Sequence, residues 1–186
     1  MYNDSPRGRD GHRGPRGGRD EYESRERRGV PLSELDPALT EVSRKVIGCS
    51  IEVHKALGPG FSEDVYTNAL CHELDQLGVK HRVGHSFPVI YKGKKVGERP
   101  ADLFVDDRFI VEIMAEHREI NSLDRANLRA QLRAADLELG LIINYAERRL
   151  KDGLVRVLNP EKIPSLRGSD QGDEGHESAV DPDRVA

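Results

Sequence analysis

Residues 99–115 read RPADLFVDDRFIVEIMA, and how this stretch is interpreted sets the fold of the whole chain. Two short apolar runs, 101–105 and 109–115, flank a polar link centred on Asp106 and Asp107, which is the pattern of a β-hairpin. Side chains alternate faces along a strand, so Ala101, Leu103 and Val105 are expected on one side and Asp102 and Phe104 on the other. The same rule groups Ile110, Glu112 and Met114 on the partner strand. A carboxylate in the middle of a hydrophobic strand is costly to bury unless it is paired or binds a cation, so Asp102 and Glu112 call for a partner. A divalent metal ion would supply one.

Upstream of the hairpin the pattern is helical. Asp36-Pro37 offers an N-cap oxygen followed by a ring already set for a first turn, and Leu39, Val42, Val46, Val53 and Leu57 then recur as one stripe. His54 lies at the edge of the stripe and is read as a structural histidine. Gly58-Pro59-Gly60 ends this helix, Ser62 is placed to cap a second one, and Gly78 closes it. Glu63 and Tyr66, three residues apart, share a face of the second helix, where Glu63 also gains from the positive end of the helix dipole. From Lys80 the period becomes two: Phe87, Val89 and Tyr91 alternate before a Lys92-Gly93-Lys94 turn and a return through Val96. His81 and His85 have the separation of one ligand pair of a zinc finger, but no closely spaced cysteine pair completes it.

Downstream, 122–136 reads as a helix carrying Arg125, Arg129 and Arg133 four residues apart, a face that can meet phosphate or simply be solvated. Residues 139–144 form a nearly continuous apolar run, as in a strand buried on both faces, and 155–158 is a further strand.

The rest of the chain sets bounds. With 36% hydrophobic and 33% charged residues the composition is poor for a globular chain, but the deficit is concentrated at the two ends. Residues 1–31 are rich in Arg, Gly and Pro and carry +2; residues 166–186 are acidic and carry −4; the total of −4 leaves about −2 for the middle. The expectation is a disordered Arg/Gly-rich arm over 1–31, one folded domain over 32–165 and a disordered acidic tail over 166–186. The mildly acidic total excludes a uniformly basic nucleic-acid binder, though not a local basic patch. Cys49 and Cys71, both within helices, suit reduced thiols in a cytoplasmic protein, and no apolar run approaches bilayer-spanning length.

The order helix, helix, several strands, helix, strand, with two carboxylates on the central hairpin, resembles the PD-(D/E)xK nuclease superfamily and within it the small GxxExxY family. The stretch IGCSIEVHKALGPG, followed by Gly60, Glu63 and Tyr66, resembles the family's helical half, and ADLFV, FIVEI and LELGLIINY resemble its sheet half. The resemblance implies an α/β (α+β) restriction-endonuclease-like core with two N-terminal helices, a central mixed sheet, and one further helix and strand. It also implies that Asp102 and Glu112, assisted by Glu63, hold Mg²⁺ or Mn²⁺. Such an ion serves phosphodiester hydrolysis by acidifying water and neutralising charge on the phosphate oxygens.

The family's lysine, two residues after the glutamate, falls here at Met114, which carries no charge and donates no hydrogen bond. Loss of one preorganised donor costs about 10² to 10³ in rate. Lys94, Lys95, Arg99 and Arg118 are the cations near enough in sequence to substitute. The family's glutamine and tyrosine on the following helix fall at Asn127 and Gln131. Three functions are therefore open: an impaired metal-dependent nuclease, an inactive nucleic-acid-binding module using the arginine helix and the Arg/Gly arm, and a structural or self-assembling homo-oligomer that keeps the nuclease fold as a scaffold.

Overall fold

In a computed structural model of the chain, residues 35–163 are described; the expected arm over 1–31 and tail over 166–186 lie outside them. Helix α1 (Pro37–Leu57) starts as its sequence dictates, with the Asp36 carboxylate accepting the Ala38 N–H at 2.9 Å and proline in the first turn. Its buried stripe is Leu39, Val46, Cys49 and Val53, with Ser43 and Ser50 between them, while Lys45–Glu41 and Lys55–Glu52 pair on the outer side. Helix α2 is Glu63–Gln76, and Tyr66, Leu70 and Leu74 face the core. Ser62 occupies the N-cap position of α2 but does not cap it: its hydroxyl donates to the Asp64 carboxylate instead. Helix α3 is Ser122–Ala135 and opens with a capping box in which Asn121 and Asp124 satisfy each other's backbone N–H groups.

Seven strands accompany the helices: β1 (His81–Val83), β2 (Ser86–Tyr91), β3 (Lys94–Pro100), β4 (Leu103–Val105), β5 (Phe109–Met114), β6 (Leu139–Asn144) and β7 (Leu154–Leu158). Five of them form one mixed sheet in the order β1-β4-β5-β6-β7, with β5 and β6 parallel and the other neighbours antiparallel. The hairpin read from residues 99–115 is β4–β5, with Val105 opposite Phe109 and a three-residue link in which Asp106 and Asp107 take positive φ. Strand β6 is buried along its whole length, as its apolar run implies.

The sheet separates two cores. On one face Leu103, Val105, Val111, Ile113, Leu141 and Ile143 pack against α1 and α2; on the other Phe104, Ile110, Met114 and Ile142 pack against Leu128 and Leu132 of α3. Ala101 departs from expectation and joins Phe104 in the second core, because the chain bends at Asp102 and regular alternation starts only at Leu103. Strands β2 and β3 do not extend the central sheet but pair only with each other, as a ribbon whose sole buried side chain is Phe87. No helix among the described residues is long and apolar enough to cross a membrane.

Candidate active site

The two hairpin carboxylates come together on the α3 face of the sheet. Asp102 sits at the bend before β4, and its Oδ2 accepts the backbone N–H of Ile113 at 2.7 Å, reaching across to β5 beside Glu112. Glu112 lies on β5 between Ile110 and Met114, half-buried, and its Oε1 is shielded from solvent with no hydrogen-bond partner. A buried, unpartnered carboxylate oxygen is expensive, and it answers to whatever positive charge can reach it. Burial, then the negative charge of Asp102, pushes the Glu112 carboxyl up to about 7, against the pull of Arg99 and weaker polar contacts from the Gln131 side chain and the Asp102 backbone amide. Asp102 is itself raised by burial, and opposed by the Ile113 hydrogen bond and by Arg99.

Glu112 opens into a cleft of about 150 Å³ whose walls include Arg99, Met114, Glu116, Arg118, Asp124 and Asn127. Each wall residue is placed by a definite element. Arg99 is the penultimate residue of β3, and the Gln131 amide of α3 fixes that strand end by donating to the Pro100 carbonyl at 2.8 Å. Asn127 and Gln131, the positions where the sequence puts the family's glutamine and tyrosine, stand on the face of α3 that meets the cleft and Glu112. Met114 is 8% exposed, with its chain packed into the second core, so the position read as the lysine slot is filled by thioether and methylene.

Of the four substitute cations, the structure brings two to the cleft. Arg99 faces both carboxylates, whereas Arg118 is engaged by carboxylates of the wall: Asp124 takes its guanidinium in a bidentate pair at 2.6 and 3.0 Å and Glu116 accepts from its Nε at 2.5 Å. These partners hold Arg118 more firmly protonated and Asp124 below the usual carboxylate range. Lys95 pairs with Glu98 out on the ribbon, and Lys94 is exposed there.

Glu63 is exposed at the first turn of α2 and is not brought to the pair, since α2 packs on the opposite face of the sheet from Glu112. Among the described residues no group of three or more His, Cys, Asp or Glu is arranged to hold a metal ion. Tyr66, its companion in the motif, is fully buried and structural: its hydroxyl donates to the Gly58 carbonyl at 2.7 Å and accepts the Phe61 N–H at 3.1 Å, clasping the turn between α1 and α2. His54 likewise makes one bond, its Nε2 lying 2.8 Å from the Glu147 carbonyl. The arginine face of α3 is mixed, with Arg125 and Arg129 differing in exposure from Arg133 and the Arg129 Nε buried without a hydrogen-bond partner.

The family model of the PD-(D/E)XK nuclease superfamily matches residues 40–157, from α1 to the end of β7. The chain belongs to that superfamily. No curated protein and no solved structure matches it. The matched residues include the bend at Asp102, the strand that carries Glu112 and the helix that follows. The clasp of Arg118 by Glu116 and Asp124 has almost no signature in the sequence; the only signal is Asp124 at the third position of a helix start, which reads as a cap rather than as a partner for Arg118.

Proposed function

We propose that this protein is a divalent-metal-dependent phosphodiesterase of nucleic acid, of the GxxExxY kind, in which Asp102 and Glu112 hold Mg²⁺ or Mn²⁺ and cleavage is slowed by Met114. The observation that carries the reading is the solvent-shielded, unpartnered Oε1 of Glu112 beside a second, half-buried carboxylate. Two neighbouring carboxylates that lack a full set of donors are completed by a cation, and two protein carboxylates suffice for Mg²⁺, which keeps most of its waters. When bound there, the ion supplies an acidified water and neutralises charge on the phosphate.

The chain's own residues do the rest. Ile113 N–H fixes the Asp102 carboxylate, so one ligand is preorganised by the backbone of the strand that carries the other. Arg99 stands on the wall facing both carboxylates and serves as the positive group toward the phosphate, in place of the missing lysine. A guanidinium on the wall neutralises charge but cannot occupy the strand position of Met114, which is why activity is reduced by about 10²- to 10³-fold relative to a lysine-bearing site. Glu63, across the sheet from the pair, takes no part in the cleft, and its charge complements the N-terminus of α2 instead.

The test is a cleavage assay on plasmid, single-stranded DNA and RNA with Mg²⁺ or Mn²⁺, comparing wild type with Asp102→Asn, Arg99→Ala and Met114→Lys. Slow wild-type cleavage that vanishes in Asp102→Asn, falls in Arg99→Ala and rises in Met114→Lys is the expected pattern. Silence of all four proteins overturns the reading in favour of binding without chemistry.

A further inference from the structure

The ribbon β2–β3 pairs with no other strand of the described residues, and its composition differs from that of the whole chain. Residues 86–100 hold Lys92, Lys94, Lys95 and Arg99 against the single acid Glu98, a local +3 in a protein of −4. Its tip is a two-residue turn in which Lys92 and Gly93 both take positive φ, with Tyr91 opposite Lys94. Between tip and base β3 carries one extra residue, Val96, against the step from Val89 to Ile90, a bulge that twists the ribbon. Tyr91 is 61% exposed and Ile90 57%, and the Lys92 ammonium lies 5.4 Å from the centre of the Tyr91 ring. Aromatic and apolar side chains standing in water among ammonium groups are poor surface design unless a partner with flat apolar faces and negative charge covers them.

We infer that the β2–β3 ribbon is an arm that holds an unpaired nucleic-acid strand, with Tyr91 stacking on a base and Lys92, Lys94 and Lys95 pairing with its phosphates. Charge complementarity selects this occupant. A second copy of the chain docking by the same patch would oppose three lysines to three lysines, because a two-fold contact is self-complementary. A duplex offers the lysines phosphate but keeps its base faces stacked and out of reach of Tyr91, whereas a single strand presents both. The ribbon also leads to the cleft. Arg99, at its base, faces Glu112 and lies five residue steps along β3 from Lys94, a span of roughly 16 Å at about 3.3 Å per residue. A strand lying along the arm is thus delivered to the carboxylates.

This inference deepens the reading of the cleft as a nuclease, but its test is binding in EDTA, where no cleavage occurs. Full-length protein is titrated against fluorescein-labelled oligothymidylate, oligouridylate and a DNA duplex, following anisotropy over a range of salt. Lys92→Ala/Lys94→Ala/Lys95→Ala should weaken both single strands at least tenfold and flatten the plot of log affinity against log salt by about 2, from roughly 0.7 for each phosphate deprived of its lysine. Tyr91→Ala should weaken them roughly tenfold with the salt slope unchanged, since stacking releases no counterions. Because these titrations need no metal, ribbon-dependent binding by a wild type that cleaves nothing once Mg²⁺ or Mn²⁺ is restored counts against the nuclease reading alone. Wild-type affinity in both ribbon variants, at unchanged melting temperature, would overturn the inference. So would a duplex held as tightly as the single strands with Tyr91→Ala neutral, or a ribbon-dependent dimer in sedimentation that excludes the oligonucleotides.

Discussion

Asp102 accepts the backbone N–H of Ile113 at 2.7 Å, so one carboxylate of the cleft is bonded to the residue that follows the other, Glu112. An aspartate bound to a metal alone would tolerate asparagine and alanine equally badly; an aspartate that also holds a strand N–H does not. In metal-free buffer Asp102→Ala should lose about 1–3 kcal/mol, because the buried Ile113 N–H loses its acceptor, while Asp102→Asn keeps an oxygen in place and stays near wild type. Urea unfolding of the two variants checks this.

Glu112 makes stability depend on pH in a direction opposite to most carboxylates. Its folded-state value of about 7 lies above the ordinary 4.5, so between those two values the folded protein holds a proton that the unfolded chain has released. Stability of the metal-free protein should therefore fall as pH rises from about 4.5 to about 7 and level off above, by on the order of 3 kcal/mol for this group. Glu112→Gln should flatten that slope. Mn²⁺ competes with the same proton, so its thermal stabilisation should be larger at pH 8 than at pH 5.5 and absent from Glu112→Gln.

Tyr66 stacks on Tyr145 with ring centres 4.4 Å apart and planes within 2°, while its hydroxyl serves Gly58 and Phe61. Tyr66→Phe preserves the stack and removes both hydrogen bonds at the turn between α1 and α2. The expected cost is about 1–3 kcal/mol. Calorimetry on the metal-free protein measures it, and cleavage per folded molecule should be unchanged, since Tyr66 lies in the core opposite the cleft.

What sequence made legible was whatever one period could carry. The stripe of α1, the continuous apolar run of β6 and the hairpin that brings Asp102 near Glu112 all follow from local alternation. Properties that depend on which element packs on which face were not legible. Glu63 shares a motif with Tyr66, yet α2 lies across the sheet from Glu112, and no spacing within α2 encodes that. Phe87, Val89 and Tyr91 alternate as a half-buried strand would, yet only Phe87 finds a core, because β2 pairs solely with β3 and leaves the sheet beyond it. Extending alternation through the bend at Asp102 puts Ala101 on the wrong face.

Two glycines mark close approaches, and they should differ in cost. At Gly140 a methyl group would meet the Leu128 side chain at 2.8–2.9 Å, where α3 rests on β6. At Gly153 it would meet the Asn144 backbone carbonyl at the end of the same strand. A leucine can change rotamer and a strand carbonyl cannot, so Gly140→Ala should cost about 1–2 kcal/mol and Gly153→Ala clearly more, read as the shift in denaturation midpoint.

Asn144 is fully buried beside Met114 in the β5–β6 register, and its amide donates to the Glu116 and Arg118 carbonyls at 2.9 and 2.8 Å while its oxygen accepts the Ala146 N–H at 3.2 Å. The loop that carries two wall residues of the cleft is thus suspended from one side chain of the neighbouring strand. Asn144→Asp replaces a two-donor amide by acceptor oxygens facing two carbonyls, an arrangement that repels as well as leaving them unpaired. It should cost about 3 kcal/mol or more, exceeding Asn144→Ala, which only vacates the space. In both variants amide exchange over residues 115–119 should quicken while the centre of β6 stays protected; equal protection of the loop in wild type and Asn144→Asp would show that the Arg118 clasp with Glu116 and Asp124 holds it without Asn144.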